Sequence, residues 1–267
     1  MIPPLAVLRK KRFTSLMVYS KQSGMQKFIL PEIIEAPSKG IISGQDAKHM
    51  LKVLRLKKGA ALEISNGQGK DFSARIVSAF VDRIELDIMK ELVPATESPI
   101  HITLCSGMLK DHKMDLIIKD VTQLGIRKWI PFFSERSIPT PDAKRIGKRV
   151  ERWESIARES LKQCRRSRVP EICTPMDFET VLSLPESSDV KLAFWEKASI
   201  KLDSLLGKEV DSRIFILIGP EGGLSENEMD QAKQKGFISC SLGPRILRAE
   251  TASIASCTLI QHIFGDI

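Results

Sequence analysis

At 267 residues the chain exceeds any mini-domain and approaches the ceiling for one hydrophobic core, which predicts two domains. Hydrophobic residues make up 42% and charged residues 28%, a globular balance that excludes a largely disordered chain. The net charge of +8 favours an anionic partner such as nucleic acid, but Arg9, Lys10, Lys11, Arg12 and Lys21 supply five of those charges within residues 1–25 and no acid accompanies them. Bulk charge is therefore weak evidence, and the clustering of the other basic residues matters more. No apolar run approaches the ~20 residues of a membrane helix, so the chain is expected to act away from membranes. Five scattered cysteines (Cys105, Cys164, Cys173, Cys240, Cys257) form no CxxC pair. That pattern points to a reduced, cytoplasmic setting without a disulfide framework. Four histidines without ligand spacing add no metal site, so none is expected.

In chain order, residues 1–24 read as an appendage. A secretory signal places its charges before the apolar stretch, whereas here Ile2–Leu8 comes first and is short. An acid-free basic leader also suits a transit peptide, but Met25-Gln-Lys-Phe-Ile-Leu-Pro reads equally well as a start. Residues 1–24 are expected to be a disordered extension or a misassigned start, with no assigned function. Residues 25–93 are mostly strand: Phe28–Leu30, Ala61–Ile64, Phe72–Val77 and Ile84–Ile88 are short β-branched or apolar runs. Gly59, Asn66-Gly67-Gln68-Gly69 and Val81-Asp82-Arg83 separate them, and one helix is expected over Gly44–Leu54. Such strands predict a small barrel that closes its own edges. Residues 94–99, with two prolines and small polar residues, read as a linker.

Beyond the linker the rhythm changes to alternating strands and helices over residues 100–267. Ile100–Cys105, Trp129–Phe133, Leu192–Trp195, Ile214–Ile218 and Ile238–Leu242 are buried-type strands. Helices are expected over Lys113–Leu124 and 143–164, where Ile146, Val150, Trp153, Ala157, Leu161 and Cys164 share one stripe. Alternation of this kind predicts an α/β domain with a mainly parallel sheet.

Two strand-to-turn junctions carry the strongest chemical signal. Ile218-Gly219-Pro220-Glu221-Gly222-Gly223 leads through a Ser225–Glu228 capping box into a helix. Leu242-Gly243-Pro244-Arg245-Ile246-Leu247-Arg248-Ala249-Glu250 leads into another. Ligands of open α/β sheets sit beyond the carboxyl ends of strands, where glycine admits close backbone approach. No GxxxxGK[ST] is present, GPEGG lacks dinucleotide spacing, and proline after each glycine removes a phosphate donor. A neutral or cationic ligand fits better. GPEGG alone is most often an ordinary turn; the pair of loops favours a site.

These loops resemble the signature of the RsmE family, ribosomal RNA small-subunit methyltransferase E. So do Lys113–Lys119 through Gln123-Leu124-Gly125, Ser134-Glu135-Arg136-Ser137, Gln163–Ile172 and His49–Arg55, giving coverage from about Met25 to the end. Lys162 stands where the family often has glutamate and Arg165 where glycine is usual, departures that touch local contacts more than activity. The resemblance implies a SPOUT-class C-terminal domain with a trefoil knot, an N-terminal PUA-like β-barrel and a homodimer. It also implies S-adenosylmethionine as methyl donor and N3 of uridine 1498 in 16S rRNA, naked or within the assembled small subunit, as target.

Uridine N3 carries a proton at neutral pH and lies in the base-pairing edge, so catalysis needs an exposed base and a stabilised anion. Arg166, Arg248 and Glu250 are the candidate catalytic residues, with Arg248–Glu250 equally readable as a loop-fixing ion pair. The donor is expected against Ile218, Gly219, Pro220, Glu221, Gly222, Gly223, Leu242, Gly243, Ile246 and Leu247, with Phe194, Trp195 and Glu196 as a third wall. Trp195 suits either adenine stacking or a core role. Residues 144–168 carry ten Lys/Arg against three glutamates. Arg145, Arg149, Arg152, Arg165 and Arg168 are the RNA candidates there, with Lys52 and Arg55 on the barrel. A non-catalytic RNA-binding assembly factor, or methylation of another base or of ribose, are the alternatives.

Overall fold

The computed structural model describes residues 27–33, 35–93, 96–110, 112–137, 143–187, 189–202 and 213–267. The leader expected over residues 1–24 and positions 94–95 of the linker lie outside the described residues.

The N-terminal unit is a curled five-stranded sheet. Its strands are β1 (Lys27–Ile29), β2 (Ser38–Ser43), β3 (Ala61–Ser65), β4 (Asp71–Ala79) and β5 (Arg83–Leu92), ordered β1-β3-β4-β5-β2. In β5, Ile84, Leu86 and Ile88 point inward at period two, and Phe72, Ala74 and Ile76 of β4 meet them. Gly67 and Gly69 take positive φ in the turn between β3 and β4, as the Asn-Gly signal required. Self-closure of a barrel does not occur by strand pairing: among the described residues β1 and β2 remain edges. Helix α1 (Gly44–Lys48) runs into a π-helical turn, His49–Val53, and together they bury Ala47 and Met50 in the same core. Strand β2 escaped the sequence reading because Ser38-Lys39-Gly40 dilutes its apolar pattern; Gly40 lies under Leu30, where a Cβ would come within 2.7 Å of that side chain.

The C-terminal unit is a wholly parallel sheet between helices. Its elements are β6 (His101–Gly107), α2 (Lys113–Gln123), β7 (Lys128–Phe133), α3 (Ala143–Cys164), β8 (Glu171–Ile172), β9 (Met176–Asp177), α4 (Phe178–Ser183), β10 (Val190–Phe194), β11 (Ile200–Lys201), β12 (Arg213–Ile218), α5 (Glu226–Gln234), β13 (Ile238–Ser241) and α6 (Ala249–Phe264). Strand order is β11-β13-β10-β12-β6-β7-β8, with β9 also on β7. Leu104, Leu192 and Ile216 face a core with α2, α3 and α6, while Cys105, Ala193 and Leu217 face one with α4 and α5. Burial on both faces explains why these strands read as continuous apolar runs. Trp153 of α3 meets Trp129 edge-on at 5.0 Å.

The two units are joined by a polar seam. Lys27 Nζ donates to Asp71 (2.6 Å), Ser167 Oγ (2.9 Å) and the Arg165 carbonyl (3.0 Å). Glu97, in the expected linker, accepts from the backbone N–H groups of Ser167 (2.6 Å) and Arg168 (3.0 Å). Arg165 adopts φ +63°, the left-handed conformation that favours glycine, and donates to Glu63 at 3.0 Å. Lys162 Nζ reaches Asp46 at 2.9 Å. Both departures from the family pattern are thus contacts between the units.

Candidate active site

Because β10, β12 and β13 are parallel neighbours, their carboxyl ends emerge on one side. Ile218 passes directly into Gly219, where a Cβ would lie 2.8 Å from the Leu224 nitrogen, so the loop is folded tightly on itself. Gly107, ending β6, packs under it; a Cβ there would lie 2.5 Å from the Pro220 nitrogen. The turn closes with Gly223 N–H on the Pro220 carbonyl (2.9 Å), Gly223 having φ +68°. Two neighbours hold the loop from outside. Arg136 Nη1 donates to the Gly222 carbonyl (2.8 Å), and Glu228 accepts from Ser225 N–H and Glu135 N–H (both 2.8 Å).

The second loop leaves β13 through Ser241, whose Oγ accepts from Gly243 N–H (3.1 Å), and enters α6 with Arg248 at the N-cap position. The third wall is Phe194-Trp195-Glu196. Trp195 Nε1 donates to the Leu224 carbonyl (3.3 Å), and the amino groups of Lys197 and Lys233 sit 5.6 and 5.7 Å from its ring. The indole therefore braces the loops as well as lining the space between them.

Together the three walls enclose a cleft of about 730 Å³. Every residue expected at the donor site, from Phe194 to Leu247, lines it, and so do Arg248 and Glu250. That volume lies within the ~300–1,000 Å³ typical of small-molecule sites. Ile218, Leu242 and Ala252 give it apolar walls, and Glu196, Glu221 and Glu250 bring three carboxylates. Glu250 Oε2 is fully buried without a hydrogen-bond partner. A buried, unpaired carboxylate oxygen is costly, which marks it as a place that a ligand group can complete.

Arg166 does not join this group. Its side chain is 3% exposed, donating to the Thr122 carbonyl (2.7 Å) and to Glu97 (2.9 Å) in the seam between the units. The sequence placed it in an arginine-rich segment, but burial in that clamp removes it from the cleft. Residues that sequence reasoning missed are Lys110, Lys113 and Arg245, all lining the cleft. Lys113 Nζ is ion-paired with Glu221, and that hydrogen bond, followed by the Glu221 and Glu250 charges, holds its ammonium above the ordinary lysine range despite burial and Arg248. A signal was present: Lys113 opens a helix, where the peptide dipoles disfavour a cation.

The expected RNA contacts divide. Lys52 and Arg55 are exposed, beside exposed Lys57 and Lys58. On α3, Arg145 is exposed and Arg149 half-buried, and Arg152 is held by Asp115 at 2.8 Å. Arg165 and Arg168 belong to the seam, where Arg168 covers Gly69 and its guanidinium is pushed below its ordinary range by burial. Among the described residues no group of His, Cys, Asp or Glu is arranged to hold a metal, and no helix is long and apolar enough to cross a membrane.

Comparison with known proteins gives this geometry a family. Residues 96–261 match an RNA methyltransferase domain, and residues 42–88 match an RNA methyltransferase PUA domain. Ribosomal RNA small subunit methyltransferase E of Buchnera aphidicola subsp. Acyrthosiphon pisum is 31% identical over 254 residues, spanning 95% of this chain and 99% of that protein. The protein of the same name from Bacillus subtilis is 30% identical, over 89% of this chain and 96% of its own. The crystal structure of the Neisseria gonorrhoeae enzyme of that name, bound to S-adenosyl methionine, superposes with a TM-score of 0.84 at 31% identity, covering 91% of this chain and 99% of its own. Lpg2936 of Legionella pneumophila, in complex with the cofactor SAM, gives 0.81 at 27% identity over 91% and 99%. With its matched domains, its parallel sheet and its paired glycine-proline loops, the chain belongs to the ribosomal RNA small subunit methyltransferase E family.

Proposed function

We propose that this protein transfers a methyl group from S-adenosylmethionine to N3 of a uridine in 16S rRNA, the nucleotide numbered 1498. The observation carrying this reading is the convergence of both glycine-proline loops on one cleft that contains a buried, unpaired carboxylate oxygen. The cleft fits the donor chemically: a sulfonium and an ammonium are cations, and Glu196, Glu221 and Glu250 offer carboxylates beside apolar walls. Gly243, at φ +108° with open space where a Cβ would stand, leaves room at the second loop for a ligand to approach the backbone. Ile218, Leu242, Ile246 and Leu247 would hold the adenine and methionine parts. When bound, the donor supplies an electrophilic methyl carbon.

The remaining steps belong to the chain. The target base leaves its stack and enters beside Arg248, whose guanidinium faces the imide oxygens and stabilises negative charge there. Glu250 accepts the N3 proton on its carboxylate. The electron pair left on N3 forms the bond to the methyl carbon while the carbon–sulfur pair departs with sulfur. Alignment of the base accounts for much of the rate, because a charged donor needs a placed nucleophile more than a strong catalyst. Lys52, Arg55 and the Arg145–Arg152 stretch of α3 would receive backbone phosphates.

A homodimer, a cytoplasmic site of action and a trefoil knot belong to the same reading. The knot rests on membership of the family. Small subunits from a strain lacking this modification, incubated with protein and labelled donor, should gain one N3-methyluridine by nuclease digestion and mass spectrometry. A ribose methyl, or none at all, would overturn the reading. Absence of donor binding by calorimetry would instead favour an assembly factor.

A further inference from the structure

We infer that Lys113 is a second cation for the acceptor, exchanging its pairing with Glu221 for the imide oxygens of the uridine as N3 loses its proton. The inference rests on the methyl-transfer reading above and names a residue for its chemistry. Lys113 lines the cleft from α2, within electrostatic reach of Glu221, Glu250 and Arg248.

Three observations carry it. First, Lys113 is the first residue of an 11-residue helix, and Arg248 is the N-cap of a 16-residue helix with no side-chain cap bond. Both helices present the end that peptide dipoles make positive, where acids are ordinarily favoured, and both carry a cation there. Each first turn also holds the acid that the dipole favours, Asp115 in α2 and Glu250 in α6, so the cation is an addition to that pattern and lines the cleft. Second, the only ion pair of Lys113 among the described residues is with Glu221 of the glycine-rich loop, and their side chains are 35% and 32% exposed. A pair so open to water is screened and readily exchanged for another anion. Third, the charged groups acting on Lys113 are of mixed sign, Glu221 from the β12–α5 loop and Glu250 and Arg248 from α6, and Lys110 lines the same cleft. Asp115 is already engaged with Arg152 (2.8 Å) and His112 (3.3 Å). Held by the exposed pair with Glu221, the Lys113 ammonium can turn towards an incoming base.

Within the transfer, Lys113 changes no covalent bond. The N3 proton passes to Glu250, the freed pair on N3 makes the N–CH3 bond, and Lys113 and Arg248 share the charge that appears on the two imide oxygens. Lys113 enters the step as the ammonium that its pairing with Glu221 favours.

The test compares full-length wild type, Lys113→Met and Lys113→Arg on unmodified small subunits with S-adenosylmethionine, from neutral to alkaline pH. Loss of one preorganised donor to a developing oxyanion typically costs roughly a hundredfold in rate. Lys113→Met should lose about that factor at neutral pH. It should recover towards wild type as alkali ionises N3 unaided, with calorimetric donor affinity kept within a few-fold. Lys113→Arg should retain most of the neutral rate. A loss equal at every pH, or a collapse of donor affinity with the rate, would overturn the assignment and make Lys113 a brace for Glu221. Wild type that binds donor but methylates no uridine would instead overturn the methyl-transfer reading on which the inference rests.

Discussion

Single residues in this protein change meaning with their surroundings. Arg166 sits in a run of basic residues that reads as an RNA or catalytic contact, yet its guanidinium is buried against Glu97 and the Thr122 carbonyl. Removing one partner of a buried pair strands the other, at a cost of about 3–5 kcal/mol. Arg166→Ala should therefore lower unfolding free energy in urea by about 3 kcal/mol. Glu97→Ala should do likewise, with the double variant losing less than the sum. If Arg166→Ala abolished methyl transfer without moving the unfolding midpoint, the structural assignment would be wrong. Lys113 is the reverse case, lying outside the glycine-proline signature and lining the cleft because α2 begins within ion-pair reach of Glu221.

At the scale of elements, the loop–helix junction at α5 shows how a local motif acquires a tertiary task. Ser225 and Glu228 form a capping box legible in the sequence, but the same Glu228 carboxylate also accepts from Glu135 N–H after β7. Glu228 is 4% exposed, so its loss leaves two backbone donors without partners. Ser225→Ala should cost about 1 kcal/mol, the usual value of an N-cap. Glu228→Ala should cost more, about 2 kcal/mol, since buried donors lose a charged acceptor. Because the box anchors the Gly219–Gly223 loop, Glu228→Ala should also weaken binding of S-adenosylmethionine in calorimetry, whereas Ser225→Ala should leave it nearly intact. Equal effects of the two substitutions on unfolding would argue that the link to Glu135 contributes nothing.

Across the whole molecule, the seam fixes the curled sheet against the parallel-sheet unit. Lys162 of α3 joins Asp46 of α1 and Glu159. Burial pushes its ammonium down, but the hydrogen bonds to Asp46 and Glu159 outweigh this and the net shift is upward. A lysine raised in the folded state contributes stability that is present below its unfolded value, near 10.5, and lost as pH rises through the higher folded value. Lys162→Met should thus melt at a lower temperature than wild type at neutral pH. The gap should persist to about pH 9 and close only beyond the lysine range. A gap that closed on acidification to pH 6 would mean that the ammonium is not what matters. Arg165, at φ +63°, accepts backbone strain in the same seam and holds Glu63 in return.

Strand runs, the change from alternating to continuous apolar pattern near residues 94–99, and the glycine-proline loops were legible in the amino-acid order. These signals are local: period-two burial, turn chemistry and helix stripes depend on neighbours in the chain. The family signature added the chemistry those loops serve. What only the folded chain decided was which side chains share a space. Arg166 went to the seam, and Lys110, Lys113 and Arg245 went to the cleft. Each outcome depends on contacts between residues far apart in sequence, such as Lys113 with Glu221 or Glu97 with Ser167. Pattern and composition do not encode such pairings one element at a time; they arise from the order in which parallel strands are laid side by side.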